Sequence, residues 1–291
     1  GITGVSAANS YASGVAIGPN GSIYITGTAD GSVSFGGIST SQTDGLFIAK
    51  FSSSGEPLWA NTRHTGSSSF GGLDIVVDSN GDAYASGMAY FNGNYDGFIT
   101  KITSNGSWIY GTDYLFGGGN IDSVTGLAIK QGFLFASMTN GTNVGGTTHM
   151  AITVMKINKS NLQIIWSKDL ASTDATTTGV CGGGIVFGCS YGGGIEIDSS
   201  GDIFLIGTSR VGNGGNMYTA FAAKMDSNGS TIWSSKLPIQ VNTQTNSYPT
   251  GMVIDKFGNL LISGHIINGN MLGSYPGGGY DLFLAKIDSN G

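Results

Sequence analysis

Few residue sets in this chain carry the spacing that chemistry needs. Gly188-Cys-Ser-Tyr-Gly192 matches the G-x-S-x-G nucleophile elbow, whose serine is exposed by a strand, a sharp turn and a helix. Here a strand-like Gly-Ile-Glu-Ile follows, and the only histidines, His64, His149 and His265, lie far away in sequence. The match reads as chance. Glycoside hydrolysis asks for two positioned carboxyl groups. The only glutamates are Glu56, in a turn, and Glu196, in an apolar run, while most aspartates fall in hairpin turns. No catalytic residue is assigned, and the expectation is a protein that is not an enzyme.

Asp78-Ser-Asn80-Gly-Asp82 and Asp198-Ser-Ser-Gly-Asp202 resemble the opening of a calcium loop. Both lack the downstream bidentate glutamate of an EF-hand and read as turns; no metal or cofactor is expected. The triple-glycine runs near Gly117, Gly182, Gly192 and Gly277 have no following Lys-Ser/Thr and read as loops. Cys181 and Cys189 flank a Gly-rich stretch and could bridge in an oxidising compartment. Asn20, Asn105, Asn140, Asn158 and Asn228 begin N-x-S/T sequons.

The elements that must position any site are repeated. Leu46-Phe-Ile-Ala-Lys50 recurs as strands ending in Lys101, Lys156, Lys224 and Lys286. A Ser/Asn/Gly turn and then a tryptophan follow four of them, at Trp59, Trp108, Trp166 and Trp233, which are all the tryptophans of the chain. Two more apolar runs joined by a tight turn precede each lysine strand, as in Gly14-Val-Ala-Ile17 and Ile23-Tyr-Ile-Thr-Gly27. Each repeat is therefore strand A, turn, strand B, long loop, strand C, turn, strand D, and Asn-Gly and Ser-Gly at the short connections suit hairpins. Four strands at a period of roughly 50 to 70 residues, without helical periodicity, predict a propeller blade.

The fold class is therefore all-β: one five-bladed β-propeller over residues 1–291, with repeats at about 11–66, 67–120, 121–190, 191–248, and 249–291 plus 1–10. The repeated tryptophans and lysines are its structural positions, filling the space between blades. The fifth repeat stops at Asp288-Ser-Asn-Gly291, where other copies turn into their tryptophan strand. Gly1-Ile-Thr-Gly-Val-Ser6 is expected to supply the missing outer strand of that blade, in its own molecule or in a neighbour.

Asp78-Ser-Asn-Gly-Asp-Ala-Tyr84 with Gly87, and Asp281-Leu-Phe-Leu-Ala-Lys-Ile-Asp288, resemble a consensus of D-x-x-G-N-x-Y-x-x-G, then D-A-F-V-A-K-x-D-x-x-G, then W. That is the pattern of the bacterial beta-propeller repeat family (SBBP-type repeats), often seven-bladed, against five repeats here. The resemblance implies the fold and an exported location, without a common activity.

The composition adds exclusions. Gly accounts for 51 residues and charged residues for only 10%, with 40% hydrophobic content, enough for a core. A net charge of −6 without any Lys/Arg run argues against nucleic acid as a partner. No apolar stretch suggests a membrane span. Abundant Ser, Thr, Asn and Gly, and a start at Gly1 rather than Met, lead us to expect a processed protein that is extracellular or on the cell surface.

Function is expected on the face that carries the long B–C loops and D–A crossings. Tyr90, Phe91, Tyr95, Tyr114, Phe116, Tyr218, Tyr248, Tyr275 and Tyr280 fall there. Tyrosine beside Asn, Gly and Ser suits a glycan or a protein surface. The reading at this level is a non-catalytic binding or adhesion module. The second is a filament subunit with copies of itself as partners, by head-to-tail contacts or strand donation. A hydrolase comes third.

Overall fold

The computed structural model describes all residues except 1, 5–9, 41–44, 64–69, 92, 110–113, 117–121, 145–146, 171–179, 182–193, 212–216, 238, 241–245, 268–269 and 272–278. The chain is an all-β, five-bladed propeller. After β1 (Ile2–Gly4), blade 1 comprises β2 (Tyr11–Ile17), β3 (Ile23–Ala29), β6 (Gly45–Phe51) and β7 (Pro57–Arg63), with β4 (Val33–Phe35) and β5 (Ile38–Ser39) inserted after β3. Blade 2 is β8 (Phe70–Val77), β9 (Ala83–Phe91), β10 (Asn94–Ile102) and β11 (Tyr114–Phe116). Blade 3 is β12 (Ser123–Lys130), β13 (Phe133–Val144), β14 (Thr147–Asn158) and β15 (Ile164–Asp169), with β16 (Val180–Cys181) beside β14. Blade 4 is β17 (Ile195–Ile197), β18 (Ile203–Val211), β19 (Met217–Met225) and β20 (Thr231–Lys236). After β21 (Ile239–Gln240), blade 5 is β22 (Asn246–Ile254), β23 (Leu260–Ile267) and β25 (Tyr280–Ile287), while β24 (Asn270–Met271) pairs with β21.

Contacts divide the chain into a first unit, Gly1–Leu134 with Ile157–Gln163, and a second, Phe135–Lys156 with Ile164–Gly291. The first holds blades 1 and 2 and the start of blade 3; the second holds the rest.

The D-x-x-G motif is explained by its turns. Asp78 Oδ1 accepts the amides of Asn80 and Asp82, and Gly81 takes a positive φ of 82° that closes the hairpin. Asp198, Asp226 and Asp255 bind their own turns in the same way. These aspartates are hairpin caps, as the sequence suggested.

Strands β6 and β10 are apolar on both faces because both are covered: Leu46, Phe47, Ile48 and Ala49 are all buried, as are Phe98, Ile99 and Ile102. The repeated lysines and aromatics lie between blades. In the first unit, Trp59 sits edge-on to Tyr24 at 5.9 Å and donates its Nε1–H to the Ser104 carbonyl. Lys50 donates to the same carbonyl and lies over the Tyr24 ring, whose hydroxyl reaches the Gly81 carbonyl. Lys101 lies over Tyr84 and pairs with Asp82 at 2.9 Å, and Trp108 packs on the core beside Arg63. In the second unit, Trp166 and Trp233 stand edge-on to Phe135 and Phe204, and Lys156 and Lys224 lie over the same two phenyl rings. Lys286 pairs with Asp255.

One expectation fails. β1 does not complete blade 5: it pairs antiparallel with β4, Ile2 opposite Phe35, in a three-stranded sheet with β5. The β4–β5 hairpin, turned by Gly36 and Gly37 at positive φ, offers a free strand edge close in sequence. Among the described residues no strand covers the outer edge of β25.

The second strand of four blades carries a glycine, Gly27, Gly87, Gly207 and Gly264, and a phenylalanine ring of the third strand occupies the space a Cβ there would need. A Cβ at Gly87 would run into the Gly71 carbonyl oxygen and the Phe98 ring. Gly87→Ala is therefore expected to cost about 3 kcal/mol in a denaturant melt, the upper end of overpacking penalties; an unchanged midpoint would refute this packing.

Candidate functional site

The first strand of each blade has a special position just ahead of its last residues. It is Gly14 in β2, Gly126 in β12, Gly251 in β22, and Gly194 just before β17. In β2 and β22 the pairing register shifts at this residue, which marks a bulge. Side chains fit poorly there. A Cβ at Gly14 would lie 3.1 Å from Thr26 Cγ2, one at Gly194 would lie 3.0 Å from Met252 Sδ, and one at Gly251 would lie 2.9 Å from Ser263 Oγ.

Blade 2 breaks the rule: the register of β8 shifts in the same way, but the residue is Asp74. Its Oδ1 accepts the Ile75 amide at 2.8 Å, and its Oδ2 accepts the Leu127 amide of β12 at 2.7 Å. Burial penalises the ionised form and lifts the Asp74 carboxyl to about 6, although the two amides pull the other way. Opposite it across β9 stands Ser86, fully buried, whose hydroxyl has no partner. An acid that holds its proton up to about pH 6, opposite a buried hydroxyl and at a place where four blades use glycine, breaks a local rule, and the two amides it accepts only partly offset its desolvation.

In the second unit, Glu196 of β17 is half-buried and also raised above the usual carboxylate range by desolvation, partly offset by the Ile254 amide. Other acids are committed to structure. Asp78 is desolvated, which alone would raise it, yet Lys159 at 2.6 Å and its turn amides hold it below the usual range. Asp202 pairs with Lys224. Among the described residues no group of three or more His, Cys, Asp or Glu could hold a metal ion.

The eight described aromatic residues singled out from sequence lie in strands rather than in loops. Tyr90 and Tyr95 are partners across β9 and β10, with ring centroids 4.9 Å apart, and Phe91 follows, exposed. Tyr114 and Phe116 form β11, with Phe116 buried. In the second unit Tyr218, Tyr248 and Tyr280 join one ring row that includes His265, a residue the sequence reading passed over. Tyr275, Cys189, His64 and Gly188–Gly192 lie outside the described residues, as does the side chain of Cys181, and with them the disulfide and the G-x-S-x-G motif. No helix among the described residues is long and apolar enough to cross a membrane.

No protein-family model matches the chain, and no curated protein matches it. Among solved structures it is similar to a GH43_12 protein retrieved from a capybara gut metagenome, at 15% identity and a TM-score of 0.52, covering 100% of this chain and 54% of that one. The chain thus spans about half the length of that structure. It is also similar to the endo-arabinase of Bacteroides thetaiotaomicron VPI-5482, at 12% identity and a TM-score of 0.47 over 91% of this chain and 89% of that one. A B. megaterium levansucrase mutant follows, at 10% identity and a TM-score of 0.48 over 98% and 85%. The shared fold is the finding. It counts against the expectation of a non-catalytic binding or adhesion module that is not an enzyme, and lends nothing to the filament alternative, because the chain shares its fold with the GH43_12 protein.

Replacing Asp74 by the repeat's own glycine gives a sharp expectation. Its folded-state value of about 6 lies above the ordinary 3.8, so its contribution to stability is complete below pH 3.8 and is lost as pH rises through about 6. Asp74→Gly should melt higher than wild type at pH 7.5 and lose the part of the pH slope between 4 and about 6; a lower melting point at pH 7.5 would show that Asp74 is a structural link between β8 and β12.

Proposed function

We propose that this propeller is a carbohydrate-active enzyme of glycoside-hydrolase type. The observation that carries the reading is Asp74, a buried carboxyl raised to about 6 at a glycine position of the first blade strands. Glycosidic bond cleavage uses a carboxyl group whose proton is available near neutral pH, and burial is the usual way to arrange this. The fold shared with the GH43_12 protein supports the reading at the level of scaffold.

The partner in this reading is a glycan, and the charge-poor, Ser/Thr/Asn/Gly-rich composition suits a protein exported to meet polysaccharide. The motif residues Asp78–Tyr84 and Asp281–Asp288 support placing its repeats with the SBBP type.

Reducing-end release from arabinan, xylan and aryl glycosides tests the proposal. The wild type should turn over at least one substrate, and Asp74→Asn, which keeps shape but not the proton, should lose about 10²-fold to 10⁴-fold in rate. An inert wild type across the panel, or an Asp74→Asn variant as active as wild type, overturns it.

A further inference from the structure

We propose that Ser86 is the positioning residue of Asp74: its hydroxyl, spare in the resting site, donates a hydrogen bond to the carboxylate that forms when Asp74 gives up its proton. The inference rests on the reading above, but it concerns the state of the carboxyl and can be measured without turnover.

The placement comes from β8 and β9, both in the first unit. Gly72 pairs with Gly87 and Asp74 with Ser86, so Leu73 is the extra residue of the bulge and Asp74 stands directly opposite Ser86. Side chains of directly opposite residues leave the same face of a sheet, with Cβ atoms about 4.5–5.5 Å apart. A serine hydroxyl covers that gap by one rotation between staggered wells.

The hydroxyl has a bond to give. Ser86 is fully buried, and its Oγ has no partner among the described residues. The same position of blade 1 is Thr26, opposite Gly14, and its hydroxyl is spent on the Phe47 carbonyl of the third strand at 2.9 Å. Blade 2 thus departs from blade 1 twice at one cross-strand pair: a carboxyl replaces glycine, and the hydroxyl facing it is unspent. The carboxyl in turn has sites to fill. Ionised, it offers about four acceptor positions, of which the Ile75 and Leu127 amides take two.

In hydrolysis the Asp74 O–H bond breaks, and its proton goes to the leaving oxygen as that oxygen takes the electron pair of the glycosidic bond. Water adds to the sugar carbon, and the proton it sheds restores Asp74. Ser86 keeps its own proton throughout and steadies the carboxylate between the two events.

No charge competes for this role. Strands β2, β3, β6, β9 and β12 pack against β8, and their ionisable groups are Tyr11, Tyr24, Lys50, Tyr84, Tyr90 and Lys130. Tyr24, Lys50 and Tyr84 end on the carbonyls of Gly81, Ser104 and Lys159, and Tyr90 packs on Tyr95. Tyr11 lies at the far end of β2, opposite Thr28, and Lys130 at the last residue of β12. The causes that act on Asp74 are burial and its two amides.

Carbon-13 NMR titration of the full chain carrying labelled aspartate, with Asp74 assigned through Asp74→Asn, tests the pairing. Wild type should titrate at about 6. Ser86→Ala should raise the midpoint by about one pH unit, the loss of one hydrogen bond to a charged group, and Ser86→Thr, which carries the hydroxyl of blade 1, should keep it. Ser86→Ala should also melt below wild type at pH 8 and no lower than wild type at pH 5, where Asp74 holds its proton; a packing role alone would move both alike. An unchanged or lowered midpoint in Ser86→Ala, or an equal rise in Ser86→Thr, overturns the proposal. Reducing-end release from the same samples keeps the two readings apart. A raised midpoint with an inert wild type supports Ser86 and removes the cleavage reading, whereas turnover with an unchanged midpoint removes Ser86 alone.

Discussion

The structure depends on how the apolar blades are held in register by polar groups that would otherwise be stranded between them. Aliphatic packing alone tolerates sliding; a buried donor does not. In the first unit, the Tyr24 hydroxyl, the Trp59 indole and the Lys50 ammonium all end on carbonyls of blade 2 turns, and the Tyr84 hydroxyl ends on the Lys159 carbonyl. In the second unit Trp233 points its N–H at the Ser289 carbonyl. The same turns are closed by their own first side chains, Asp78 before Gly81, Thr103 before Ser104, Asn158 before Lys159 and Asp288 before Ser289, so their carbonyls are fixed before the neighbouring blade arrives. A lysine over an aromatic ring adds attraction that grows as water is excluded. This is why lysine, tyrosine or phenylalanine, tryptophan and Asp-x-x-Gly recur together.

That constraint leaves different freedom to different strands. The second and third strands are committed on both faces, and their glycines answer to phenylalanine rings. The first strand is tied mostly through its bulge, where glycine lets neighbouring backbones approach. A carboxylate there brings a desolvation cost that its two amide partners do not cancel. Natural chains retain such costs where the group works.

The fold was legible because its causes are local and repeated: turn chemistry, two-sided apolar strands and one aromatic per position can be read off a single chain. The placement of β1 was not, because an edge strand pairs with whichever free edge lies within reach, and the three-residue pattern of Ile2–Gly4 suits Val33–Phe35 as well as a blade edge. Asp74 was visible in principle. Aligning Gly14, Gly126, Gly194 and Gly251 with it exposes the departure, but a single aspartate forms no paired motif, and most aspartates of this chain stand in hairpin turns. Its raised pKa comes from packing that no spacing shows. His265 was likewise hidden: a lone histidine in a strand carries no signal until pairing sets it between two tyrosines.

The last blade shows what happens where the register device weakens. Lys101 and Asp82 are largely sheltered, with side-chain exposures of 13% and 19%, whereas Lys286 opposite Asp255 is 57% exposed. An ion pair in water holds little. The third strand of blade 4 carries small, fully buried Ala220 and Ala222, while the matching positions of β25 are Leu282 and Leu284, open to solvent. Local opening free energy follows buried apolar contact and sheltered bonding, so β25 is the strand of blade 5 least secured by the repeat's own chemistry. The ring column tying Tyr280 to His265 and Tyr248 compensates at one end of it.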